Sequence, residues 1–273
     1  MGFFKEFGSI VSLAIAFRHL AKASNQVAGA RDAEELAGIC ERGDALCAKI
    51  EANPTMTTMR ARGGPAADNL DASMTIMKLS MRSAFTIALR EFEPAVELSM
   101  SCADSPHANV RLVAANTGLD AFAQARVAAR RSGGLEAFGA RMATTRQLLL
   151  ALGAQAMGAP ASAAETAPKP GADGAQSFKE APFTVDAKPT DAKLGLGMAL
   201  AFLAFEEGRL PEARAHVALA ARAHGAQKIV EREIQGKGSL AWFYGSIDQP
   251  ALSEFRTFLA AELDPKPATR ASP

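Results

Sequence analysis

The residues of this chain that could do chemistry are four histidines, three cysteines, two sets of closely spaced glutamates and one glycine-lysine loop. His19, His107, His216 and His224 do not form the His-Glu-x-x-His pattern that brings two imidazoles onto one helix face around zinc. His216 and His224 share roughly one face but stand about 12 Å apart at 1.5 Å per residue, too far to hold one metal ion between them. Cys40 and Cys47 are separated by two turns, about 10 Å, which no disulfide within a helix can bridge. Gly236-Lys237-Gly238-Ser239 is not a phosphate loop. That motif needs Gly where Glu231 stands and Ser or Thr where Gly238 stands. Glu206-Glu207 and Glu231/Glu233 are adjacent or alternate positions. On a helix these do not face one another, so they read as solvated charge rather than an acid–base pair. The residues therefore predict no catalytic group, no metal site and no bound cofactor.

The elements that would position any site are helices. The chain has 273 residues, 48% of them hydrophobic, with few aromatics and abundant alanine, the best helix former. Period-two runs of β-branched residues are nearly absent, so the expected class is all-α. The formal net charge of +1 gives no global field to attract nucleic acid or an anionic membrane. Free thiols in an odd number fit a reducing, cytoplasmic compartment.

Phe7 to Phe17 is an uncharged apolar run too short to cross a bilayer, which needs about 20 residues. It is also a poor secretion signal, because Arg18, His19 and Lys22 separate it from the small residues Ala28-Gly29-Ala30. Myristoylation of Gly2 is unsupported, since position 6 is Glu6. The spacing predicts a first helix over about 3–27 with Phe3, Phe7, Ile10, Val11, Ala14, Phe17 and Ala21 on one stripe, packed against its neighbours. A second use of that stripe is an interfacial anchor led by Phe3, Phe4 and Phe7.

Asp32 caps a second helix with the core positions Leu36, Ile39, Cys40, Leu46, Cys47 and Ile50 at 3–4 spacing. Asn53-Pro54 ends it, and 54–68 reads as a loop. A third helix runs from about Leu70 to Phe92, with Met74, Met77 and Met81 on its core face. Between residues 105 and 157, Arg111, Arg126, Arg130, Arg131, Arg141 and Arg146 face only Asp120 and Glu136 in sequence. No aromatics interleave with them, so a solvated helix face is favoured over a nucleic-acid surface. The expected organisation is a helical domain over 1–157, an Ala/Pro-rich disordered linker over 158–192 carrying Phe178, Phe183 and Val185, a helical hairpin region over 193–263, and a disordered tail over 264–273.

Two stretches carry local resemblances. Asp104-Ser105-Pro106 leading into Val110-Arg111 and Ala114-Ala115 resembles a HEAT-type repeat over about 94–119. That resemblance implies a structural brace in which Asp104 and Arg111 tie adjacent hairpins. Leu200, Ala201, Ala204, Gly208, Leu210, Ala213, Val217 and Ala220 are similar to the packing positions of a tetratricopeptide repeat over about 193–225. The implied architecture is an irregular helical-hairpin, α-solenoid-like stack or a bundle. The implied function is a non-catalytic adaptor or scaffold that binds another protein or peptide. Leu200 and Ala204 would lie on its face, with Trp242, Phe243 and Tyr244 as aromatic anchors. The alternatives are weak membrane contact through the first helix and, less favoured, nucleic-acid binding through the arginines.

Overall fold

The computed structural model describes residues 2–27, 30, 32–156, 191–222, 234 and 249–263. Among them are ten helices and no strand: α1 (Gly2–Gln26), α2 (Ala33–Glu51), α3 (Pro54–Arg62), α4 (Pro65–Ala88), α5 (Phe92–Met100), α6 (Ala108–Arg131), α7 (Leu135–Ala156), α8 (Asp191–Glu206), α9 (Leu210–Arg222) and α10 (Gln249–Leu263). The class is all-α. The 158–192 linker lies outside the described residues except for its last two positions, which open α8, and the 264–273 tail lies wholly outside them.

Chain-adjacent helices pack in pairs, α1 on α2, α4 on α5, α6 on α7 and α8 on α9. Alternate helices also touch, α2 with α4, α4 with α6, and α6 with α8. Two apolar cores result. Leu13, Leu20, Leu36, Ile39, Ile50 and Met56 centre the first; Leu119, Phe122, Leu149, Leu200, Phe202 and Phe255 centre the second. Helix α4 joins them, because Met74 and Met81 enter one while Leu79 and Ile87 enter the other. Helix α8 is apolar all round, from Leu194 through Leu203, as expected of a helix enclosed by others.

Three of the turns use one device. At the ends of α4, α6 and α8 the chain closes with the paired bonds of a Schellman motif: Glu91 N to Thr86 O, Gly134 N to Ala129 O, and Arg209 N to Ala204 O carry the longer span. The motif needs a left-handed residue. Gly133 (φ 74°) and Gly208 (φ 74°) supply it at two turns, but Arg90 (φ 62°) does so at the third. A side chain in that region costs roughly 1 kcal/mol. Arg90→Gly is therefore expected to raise the urea midpoint, adding about 0.5–1 kcal/mol of stability without changing the m-value.

Local sequence reading missed two features. Residues 54–68 are not a loop, since α3 takes Pro54–Arg62 and α4 starts at Pro65. Asn53 accepts from the Thr55 amide at 2.9 Å and Pro54 takes the first helical position, so the pair that stops α2 starts α3. The other is Gly118, which lies inside α6, a helix that runs unbroken from Ala108 to Arg131. A Cβ at Gly118 would lie 2.6 Å from Leu149 Cδ2 and 3.0 Å from Ser99 Cβ, so the glycine is where α5, α6 and α7 converge.

Candidate functional site

Helix α1 has apolar residues on every side between Phe7 and Phe17, so its rotation decides which of them reach solvent. A polar clamp sets that rotation. Ser9 Oγ donates to Asn53 Oδ1 at 2.8 Å, Asn53 Nδ2 donates to the Ser9 carbonyl at 3.1 Å, and Thr55 Oγ1 donates to Ser9 Oγ at 2.7 Å. With Ser9 held against the start of α3, Leu13, Ala16, Leu20 and Ala23 turn into the first core. Ile10, Val11, Ala14 and Ile15 turn outward. Ile10 is 53% exposed and Ile15 49%, values unusual for side chains of that size standing side by side.

This corrects the sequence phase. The expected packed stripe included Ile10, Val11 and Ala14, which are on the open side, while Leu13 and Leu20 do the packing. A helix apolar all round carries no amphipathic signal from which to read the buried face. One turn beyond the open patch, Arg18, His19 and Lys22 are exposed. Among the described residues neither Arg18 nor Lys22 makes an ion pair. Phe3 and Phe4 lie in the first turn of α1 and Phe7 in the second, and their side chains are outside the described residues.

The second concentration of polar groups is internal. At the α8–α9 turn, Glu207 accepts two bonds from Arg146 of α7, both at 2.6 Å, and is bonded by Arg209 on its other side. Arg209 also reaches Glu212, and Arg130 of α6 reaches Glu206 at 3.2 Å. The glutamate side chains are nearly closed to solvent, 2% for Glu206 and 9% for Glu207. Burial raises the Glu207 carboxyl, but the hydrogen bonds and charges of Arg146 and Arg209 outweigh it and hold the group below its ordinary value. Arg146 is shifted up, first by its bonds to Glu207. Arg209 is shifted down, first by burial, which the charge and hydrogen bond of Glu207 oppose; the charges of Arg146 and Arg126 add smaller depressions. His216, one turn beyond Glu212 and fully buried, is pushed down to about 3 by desolvation and then by Arg209.

Glu206 and Glu207 are thus not solvated charge, and the arginines bonded here are not an open face; Glu231 and Glu233 lie outside the described residues. Arg130 and Arg146 are tied to α8–α9, Arg141 pairs with Glu93, and Arg111 donates to the Ser105 carbonyl. That last contact closes the α5–α6 loop on itself. Asp104 is exposed, and Arg111 reaches back six residues rather than across to another hairpin.

No protein-family model, curated protein or solved structure matches this chain. The reading of function therefore rests on its own geometry.

Leu200 and Ala204 are buried, Leu200 within the second core, so they offer no surface to a partner. Trp242, Phe243 and Tyr244 lie outside the described residues, as does His224. Among the described residues no group of three or more His, Cys, Asp or Glu is placed to hold a metal ion, and no helix is long and apolar enough to cross a membrane. Cys40 and Cys47 are buried on α2, where desolvation first of all raises both thiols above their ordinary value. Cys40 Sγ donates to the Met81 carbonyl at 3.3 Å, a packing role.

Gln124 is among the buried polar side chains that keep unpartnered atoms. Gln124 of α6 is 0% exposed, and neither its amide oxygen nor its amide nitrogen has a hydrogen-bond partner. A buried unmade amide costs about 1–3 kcal/mol, whereas a similar-sized thioether costs little. Gln124→Met is expected to stabilise the protein by about 1–2 kcal/mol, measured by equilibrium urea unfolding.

Proposed function

We propose that this protein is a non-catalytic interaction module whose partner, another protein, docks on the exposed face of α1. One observation carries the reading. Ile10, Val11, Ala14 and Ile15 form a contiguous apolar patch on a helix that the Ser9–Asn53–Thr55 clamp holds in fixed rotation. Apolar side chains kept in water by a rigid scaffold cost free energy, and covering Ile10, Val11 and Ile15 recovers about 1–2 kcal/mol each. The stacked pairs from α4 to α9 support the scaffold half of the proposal, since alternate helices touch as they do in helical-hairpin arrays. A cytoplasmic setting is part of the proposal and is supported by the free thiols Cys40, Cys47 and Cys102.

The test uses the full chain as bait in three forms: wild type, Ile15→Asp, and Leu148→Asp as a control on the exposed side of α7. A partner should be retained by wild type and by Leu148→Asp and lost by Ile15→Asp. Both surface variants should keep wild-type stability within about 0.5 kcal/mol. Equal capture by all three forms would move the binding surface elsewhere. Loss accompanied by binding to phospholipid vesicles would convert the reading to membrane association.

A further inference from the structure

The open face of α1 is bipartite, and its two halves lie on one line. At 100° per residue, Val11, Ile15, Arg18 and Lys22 fall within an arc of about 60°. Apolar contacts come first and cations follow within about 18 Å of helix axis. No Asp or Glu occurs between Glu6 and Asp32, so nothing on α1 itself neutralises this end. Arg18 and Lys22 are exposed and make no ion pair among the described residues.

That linear order separates two kinds of occupant. A helix lying in a bilayer interface carries its cations on the flanks, where they meet headgroups while the apolar arc sinks. Here, sinking Val11 and Ile15 would sink Arg18 and Lys22 with them, because they share the arc. A second helix laid along α1 meets no such conflict. Its apolar residues can cover Ile10, Val11 and Ile15 while carboxylates one or two turns further on reach Arg18 and Lys22.

We infer that the partner element is an acidic amphipathic helix, apolar at i, i+3, i+4 and i+7 with carboxylates following in the next two turns. This rests on the docking proposed above and adds the chemistry of the occupant. Charge order gives it direction as well as attraction, since a helix laid the other way sets its carboxylates over apolar side chains.

Two synthetic peptides of about 16 residues serve as probes, sharing one leucine pattern and ending in either glutamates or lysines. Binding to the full chain is read by fluorescence anisotropy at low and high salt. The glutamate peptide should bind wild type about tenfold tighter than the lysine peptide, with the gap closing as salt rises. Arg18→Glu/Lys22→Glu should invert the preference. Ile15→Asp should abolish binding of both peptides. Equal binding of both peptides to wild type, lost only in Ile15→Asp, would overturn the acidic partner and leave the docking face standing. Binding of neither peptide, with co-sedimentation on vesicles containing phosphatidylglycerol, would overturn both readings in favour of a membrane. Binding to neither peptides nor vesicles would overturn both outright.

Discussion

Glu207→Ala is expected to destabilise the protein by about 3 kcal/mol. The carboxylate joins Arg146 of α7 to Arg209 of the α8–α9 turn, with its own side chain 9% exposed and the two arginines about a third exposed. Removing it leaves two guanidiniums facing each other in a partly dehydrated site, with Arg126 adding to the repulsion on Arg209. Fully buried broken pairs cost about 3–5 kcal/mol, and partial rehydration of the arginines places this one at the lower end. Glu207→Gln keeps one acceptor and should lose about half as much. Urea unfolding of Glu207→Ala, Arg146→Ala and the double variant gives the coupling directly. A coupling of about 2 kcal/mol is expected, and strict additivity would show that the pair contributes nothing across α7 and α8.

The second large effect is on acid stability. His216 is buried in α9 beside Glu212 and Arg209, and its folded-state value near 3 lies well below the 6.5 of an unfolded chain. The unfolded state therefore binds the proton first as pH falls. The stability that neutral His216 contributes is complete above about pH 6.5 and declines down to about pH 3. Between pH 7 and pH 5 the loss is about 2 kcal/mol. Glu207 acts in the same direction but lower, since a depressed carboxyl gives up its contribution only below its unfolded value of 4.5. The interval from pH 6.5 to 5 thus isolates the histidine within this cluster. His216→Leu should flatten the pH dependence of the urea midpoint there by about 2 kcal/mol. An unchanged slope would mean that the imidazole can take a proton in the fold.

What could be read in the sequence divides along the range of the interaction. Asp32 as the cap of α2 and Leu36, Ile39, Cys40, Cys47 and Ile50 as its core side follow from spacing over a few turns, and the structure places them so. The α8–α9 hairpin with Gly208 at its turn was legible for the same reason, although Leu210 is 38% exposed rather than packed. The charge cluster was not, because the partners of Arg130 and Arg146 lie 76 and 61 residues along the chain. Counting charges within a window makes those arginines look free. The face of α1 was hidden in another way. Its phase is fixed by Ser9 meeting Asn53 and Thr55, residues that advertise a cap and a turn but not a clamp on a distant helix. Gly118 shows the same limit, since a glycine inside a helical pattern signals a break unless the neighbouring helices Ser99 and Leu149 belong to are known.

The proposed occupant of the open face of α1 is another protein in the cell. Site-specific photo-crosslinking tests it most directly, with the photoreactive residue at position 15 and a control at position 148, both exposed leucine- or isoleucine-bearing sites. The account predicts a discrete protein adduct from position 15 that is absent from position 148 and lost when Arg18 and Lys22 are both changed to Glu. No adduct from position 15, or the same adducts from both positions, would contradict it.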